Sequence, residues 1–496
     1  MIRKFRQLAL LFLALLVAPL PVSATEWTFE NVERVVAISD IHGAYGAMVR
    51  TLQQAAVIDE GEAWSGGKTH LVIVGDILDR GPKSRQAMDL LMRLEGEANE
   101  AGGRVHVLIG NHEAMNLIGD LRYVAREEYA AFEADESPEE RARWFQAYLD
   151  KQGALESDVG EQRTIFDEQF PPGFFAHRNA FATDGKYGSW LLTKPIVVVI
   201  NRTAYVHGGV SPMIAEIGLA GVNEQLHGEM VQYVRQLEVL VDAGVLLPSD
   251  DFYSHPKKLQ SLTTLFTTDD SVAAAAADVI RLNDSDLHSM DGPLWYRGNV
   301  GCCELIEVDR LNASLQAIGA DRVVIGHTPT EGRKIYARFG GKVIEVDTGM
   351  LNSYYEGRGN ALIVSGDKFG AINERGKEWP ELLPHPRYVG QRPPGLSDDE
   401  IQKLLANGEI IADRDDSGGR RIVSISNGKQ VIDAEFVRRT GRNFYPQVAA
   451  YRLDRLLALD MVPVAVKREF DGTDGALLFW PVGMTNEERR REAGWG

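Results

Sequence analysis

Five times along this chain an apolar, β-branched run breaks within a residue or two into a cluster of glycine with charged, amide or imidazole side chains. The runs are Val35–Ile38 before "SDIHG", His70–Val74 before "GDILDRG", Val105–Ile109 before "GNHE", Thr203–Val206 before "HGGVSP" and Arg322–Ile325 before "GHTP". Short, almost wholly apolar runs fit strands covered on both faces, and the segments between them carry helical periodicity. This alternation predicts an α/β sandwich. In open α/β sheets ligands bind beyond the carboxyl ends of the strands. All five clusters are expected there.

Together the clusters supply Asp40, His42, Asp76, Asp79, Arg80, Asn111, His112, His207 and His327. One histidine in a loop says little, because most are solvated or satisfied locally. Five clusters, each at a strand end, say more. Four of the eleven histidines fall in them, and the others, such as His106 within "RVHVLI", read as structural. Carboxylate, amide and imidazole donors without a thiolate suit Mn, Fe or Zn better than Ca or Mg. One carboxylate can bridge two such ions, and a pair roughly 3.5–4 Å apart acidifies a shared water and clamps both oxygens of an in-line displacement.

A chain of 496 residues exceeds one core of ordinary size. Residues 121–190 ("REEYAAFEADESPEERARWFQAYL" within them) and 215–286 read as helical insertions. Residues 376–395, including "WPELLPHPRYVGQRPP", read as a proline-rich linker, and residues 396–496 as a small α+β accessory domain with a helix near Ser397–Glu400 and another over Pro446–Leu459. The leucines of that second helix are expected in its core. A weak likeness to a kinase N-lobe helix fails on its residues, because Val437 and Gln447 stand where lysine and glutamate would be needed.

The N-terminus is basic over Met1–Arg6, apolar over Leu8–Ala18, and ends in the small-residue pattern of Val22 and Ala24. This reads as a signal peptide, residues 1–24, cleaved to give a periplasmic or secreted protein with no stable membrane insertion. Cleavage removes Arg3, Lys4 and Arg6 from a chain whose formal net charge is already -18, and so acidic a surface disfavours nucleic acid polymers. The two cysteines, Cys302 and Cys303, are adjacent, cannot build a disulfide framework, and read as small thiols.

The motifs "SDIHG", "GDILDRG", "GNHE", "HGG" and "GHT" resemble the five motifs of the calcineurin-like metallophosphoesterases, in the phosphoprotein phosphatase branch. "DGKYGSWL", "HGGVSP", "GPLWYRG" and "GHTP" are more similar to the bacterial-type, Shewanella-like phosphatases than to the eukaryotic serine/threonine enzymes. The resemblance implies a metallophosphoesterase-type β-sandwich flanked by helices, covering residues 30–375. It implies two divalent ions, with Asp40 and His42 on the first, Asp76 as bridge, and Asn111, His207 and His327 on the second. His112 is the implied general acid, oriented by Asp79. Arg80 of "DRG" and Arg297 of "LWYRG" are the implied phosphate clamps. Serine at position 39 and alanine at 44 depart from the family's usual residues; they leave the implied ligands intact and are expected to alter what surrounds them. Asp347, in "DTG", is expected to pack around the site.

The chemistry of these types is coherent. An amide at Asn111 ligates without cancelling the charge that polarises phosphate, and His112, one residue on, can face the leaving-group oxygen and protonate it. The expected activity is hydrolysis of phosphomonoesters on phosphorylated proteins, peptides or small molecules by a metal-bridging hydroxide. Two other readings stand: a nucleotide or dinucleotide polyphosphate hydrolase, and a binding module that keeps the fold without catalysis.

Overall fold

The computed structural model describes residues 27–152, 158–262, 270–301, 304–384, 396–415, 420–439, 445–457 and 462–480. The expected signal peptide, most of the expected linker, and Cys302 and Cys303 lie outside the described residues. The chain divides into two units, the first holding residues up to 297, 313–335 and 341–382, the second 298–312, 336–340 and the residues from 383 onward.

In chain order the strands are β1 (Thr28–Phe29), β2 (Arg34–Ile38), β3 (His70–Ile73), β4 (Arg104–Val107), β5 (Val197–Ile200), β6 (Thr203–Val206) and β7 (Arg322–Ile325). There follow β8 (Tyr336–Arg338), β9 (Val343–Glu345), β10 (Asn360–Ser365), β11 (Lys368–Asn373), β12 (Glu378–Trp379) and β13 (Leu383–Pro384). The last five are β14 (Glu409–Asp415), β15 (Arg421–Ser426), β16 (Val431–Arg438), β17 (Ala465–Phe470) and β18 (Thr473–Trp480).

The first unit is a sandwich. One sheet runs β12-β11-β10-β2-β3-β4, with β2, β3 and β4 parallel, and the other runs β1-β5-β6-β7-β9, with β6, β7 and β9 parallel. Alternate residues from both sheets meet in one core, among them Val35, Ala37, Val72, Val198, Tyr205, Val324, Ile344 and Leu362. The residues between them, such as Val36, Ile38 and Ile73, face the other way and are buried as well. That is why these runs are continuously apolar rather than alternating. Each such valine, isoleucine or leucine contributes about 1.5–3 kcal/mol by leaving water.

Both expected insertions are helical. The first holds helices Arg126–Ala130, Pro138–Gln152, Val159–Gln169, Phe174–Ala180 and Lys186–Leu191, and the second includes His227–Asp242, His255–Leu262 and Asp270–Leu282. No helix among the described residues is long and apolar enough to cross a membrane.

In the second unit, β14-β15-β16-β18-β17 form an antiparallel sheet whose core includes Ile401, Leu404 and Leu405 of helix Asp398–Asn407 and Val448 and Tyr451 of helix Pro446–Leu456. Ser397 caps the first helix in a reciprocal capping box with Glu400. The expectation for the second helix is corrected here. Leu453 and Leu456 are 54% and 81% exposed, because the helix packs through Val448, Tyr451 and Asp454 and turns these leucines outward.

Candidate metal centre

The carboxyl ends of β2, β3, β4, β6 and β7 bring the five clusters together. Beyond the strands the backbones stay paired: Asp40 N–H donates to the Gly75 carbonyl (3.2 Å), His42 N–H to that of Asp76 (3.0 Å), and Gly326 N–H to that of His207 (2.8 Å). The sheets are joined at this edge, since His207 Nδ1 lies 2.8 Å from the Val74 carbonyl and His327 N–H donates to both oxygens of Asp40 (3.1 and 3.0 Å). Asp40, His42, Asp76, Asn111 and His207 are each at most 2% exposed, and His327 is 8% exposed.

Close approach explains the glycines. A Cβ on Gly75, whose φ is +78°, would stand 2.7 Å from Gly110 Cα and 2.8 Å from His207 Nδ1. Six non-glycine residues of the site, Asp40, His42, Asp76, Asp79, Arg80 and His327, also have positive φ, out of fifteen such among the described residues. Each costs about 1–3 kcal/mol and persists only where its surroundings over-determine it. The strain is concentrated at the site.

Asp76 is the common member of two ligand sets, His42–Asp76–His112 and Asp76–His207–His327, in each of which the ligand atoms lie within 4.8 Å of one another. Its Oδ2 is 3.6 Å from His42 Nε2, and its Oδ1 is 3.2 Å from His207 Nε2. Asp40 Oδ1 is 3.9 Å from His42 Nε2, and Asn111 Oδ1 is 2.9 Å from His207 Nε2. Asp76 also accepts from His112 N–H (3.0 Å) in the first turn of helix Asn111–Ile118, where the helix dipole favours an anion.

The donor set fits divalent cations. His42 Nδ1–H donates to the Leu78 carbonyl and His207 Nδ1–H to that of Val74, both at 2.8 Å, so each ring turns an Nε2 lone pair toward Asp76. At His207 that lone pair faces two further acceptors, Asn111 Oδ1 and Asp76 Oδ1. Three acceptors in contact need a cation or an added proton among them. His327 Nε2 is buried without a hydrogen-bond partner. The electrostatics show the same demand for positive charge: burial alone would lower His207, yet Asp76 and Asp40 raise its pKa to about 10. Burial likewise would raise Asp76, but His207 and His112 hold its carboxyl well below the usual range.

His112 is placed differently. Its Nδ1–H donates to Asp79 Oδ2 at 2.5 Å, and its Nε2 is 3.8 Å from Asp76 Oδ2. Burial opposes charging this ring, but Asp76 and Asp79 outweigh it and the pKa is raised, which favours the protonated form a proton donor needs. Arg80 is half-buried. Its guanidinium donates to His42 Nε2 (2.8 Å) and lies 5.2–5.3 Å from the rings of Tyr123, Tyr354 and Tyr355. Arg297 is exposed as a residue, yet its guanidinium is partly desolvated by the site, which lowers its pKa; Asp76 raises it and Arg80 lowers it.

Several residues at the site escaped the sequence reading. Glu113, fully buried, accepts from the backbone N–H groups of Gly110, Asp76 and Ile77 (each 2.8 Å) and of Leu78 (3.3 Å), tying the second motif to the third. Its place three residues into a helix capped by Gly110 was the available signal. Tyr123 and Tyr355 had none. Ser39 hydrogen-bonds Asp40 Oδ2 through its hydroxyl, so the departure at position 39 adds a donor to a candidate ligand. Asp347 is buried beside the site, where it raises the pKa of Asp40 further after burial itself.

Residues 33–331, more than half of the chain, match the family model described as calcineurin-like phosphoesterase, and the chain belongs to that family. Its relatives include Shewanella-like phosphatases, as the motif resemblance implied. Shewanella-like protein phosphatase 2 of Arabidopsis thaliana is 34% identical over 211 residues, 40% of this chain and 52% of that protein. The chain thus spans about half the length of that relative. Shewanella-like protein phosphatase 1 of Plasmodium berghei is 22% identical over 349 residues, 69% of this chain and 76% of that protein. Among solved structures, a cold-active protein-tyrosine phosphatase of a psychrophilic Shewanella species is 26% identical, covers 71% of this chain and 82% of its own, and superposes with a TM-score of 0.46.

Proposed function

We propose that the chain is an exported, dinuclear-metal-dependent phosphomonoesterase acting on phosphorylated protein side chains. The observation that carries this is Asp76, shared between two buried ligand sets, with the His112–Asp79 pair beside it. Two divalent ions at Asp40, His42 and Asp76 and at Asp76, Asn111, His207 and His327 would acidify a water and draw charge from the phosphate.

The chain's own residues do the rest. Asn111 offers an oxygen without charge, so the field on the phosphate is not cancelled. His112, held by Asp79, carries a proton at Nε2 for the leaving oxygen. Arg80, set beside three tyrosine rings, presents a planar fork to the phosphate oxygens as charge spreads over them, and Arg297 supplies a second cation at the rim. A phosphoesterase domain over residues 30–375 would carry this chemistry, with an accessory domain over 396–496 joined to it by the proline-rich linker.

The protein purified with Mn, Fe or Zn should turn over phosphotyrosyl or phosphoseryl peptides in preference to nucleotides. Preference for nucleoside or dinucleoside polyphosphates would replace this reading with that of a polyphosphate hydrolase. Export is checked separately: the protein recovered from the periplasm or medium should begin at Thr25, and retention of Met1 would refute cleavage.

A further inference from the structure

Behind the His112–Asp79 pair lies a buried amide to which the mechanism above gives no task. Asn116, 1% exposed, sits one turn beyond His112 on helix Asn111–Ile118. Its Nδ2 donates to Asp79 Oδ1 at 2.8 Å and to the His112 backbone carbonyl at 2.9 Å. The carboxylate that takes the His112 proton donor on one oxygen is therefore held on the other by a residue of His112's own helix. Asp79 needs such holding, because it and Arg80 have φ of +71° and +65°, a strained left-handed pair. Among the described residues, Asn116 and His112 are the hydrogen-bond partners of the Asp79 carboxylate.

A second brace comes from the first insertion. Arg178, on helix Phe174–Ala180, donates from Nη1 to the Asn116 carbonyl at 2.6 Å. Its guanidinium makes no ion pair among the described residues, and its Nε has no hydrogen-bond partner. A cation is thus held against a carbonyl in the last turn of a helix, the end that favours positive charge.

We propose that Asn116 is a positioning residue for the proton donor, with Arg178 of the helical insertion anchoring the turn that carries it. Asn116 fixes the Asp79 carboxylate, and the carboxylate fixes the imidazole so that Nε2 faces the leaving-group oxygen. The inference rests on His112 being that donor.

The test uses the full-length, metal-loaded protein and two leaving groups. Nitrophenolate departs from p-nitrophenyl phosphate with little need of a proton, whereas phenolate from phenyl phosphate needs one more. Asn116→Leu should lower kcat on phenyl phosphate by about 10–100-fold, as loss of an orienting partner does elsewhere, with a much smaller loss on p-nitrophenyl phosphate and unchanged KM and metal content. Arg178→Met should shift kcat in the same sense by less. Asn116→Ser, a smaller perturbation, serves if the leucine variant does not fold, with circular dichroism as the check. His112→Asn is the reference. If it discriminates between the leaving groups and the Asn116 variants do not, the positioning role is overturned while the donor reading stands. If His112→Asn itself does not discriminate, the donor reading falls.

Discussion

Replacing His112 by asparagine should leave the bound metal in place and lower kcat by about 10²–10⁴-fold, the range of a positioned proton donor. The geometry separates this residue from its neighbours. His42 and His207 use Nδ1 to hold on to backbone carbonyls, of Leu78 in the loop after β3 and of Val74 at its end, and turn Nε2 to Asp76, as ligands do. His112 uses Nδ1 to hold a carboxylate, Asp79, which raises its affinity for a proton instead. Asparagine is close in polarity and cannot supply a proton, so it tests that role. His112 Nε2 also lies in a ligand set with His42 and Asp76. Were it a ligand in use, the substitution would release an ion, and metal analysis of the variant would show a loss.

Asp76→Asn should do the opposite and take metal and activity together. Altering a residue that merely orients a ligand costs about 10–100-fold in metal affinity. Asp76 stands against His42, His112 and His207 at once, and it supplies negative charge at the centre of the site. Its neutral counterpart should therefore lose affinity by more than about 100-fold, with activity falling to background. Fold should survive, since an amide oxygen can still accept from His112 N–H. Isothermal titration with Mn and circular dichroism on the same sample separate the outcomes. Retained metal with lost activity would mean that Asp76 acts otherwise than as a shared ligand.

Much of the site was legible because it is built from local repeats. A β-branched run followed by glycine and ligand-type residues states both the strand and the loop, and parallel strands place such loops on one edge without further information. Thr203–Val206 and Arg322–Ile325 match β6 and β7 residue for residue. What was not legible depends on pairings distant in sequence. Glu113 satisfies backbone groups 35 to 37 residues away, and Asn116 meets Asp79 across 37. The tyrosines around Arg80 come from positions 123, 354 and 355, on segments with no motif. The C-terminal helix shows a different limit. Its leucines suggested an apolar face, but the partner surface selects Val448 and Tyr451, and only the sheet decides that.

A single buried carboxylate that organises two metal ions beside a separate proton donor fixes a metal stoichiometry that loss of the donor should not change. Metal-to-chain stoichiometry by elemental analysis, on Mn-reconstituted native protein and the His112→Asn variant side by side with their turnover, tests it most directly. Two ions per chain in both, with activity in the native protein alone, is the expected result. A fully active protein holding a single ion, or a variant that loses an ion along with its activity, would contradict it.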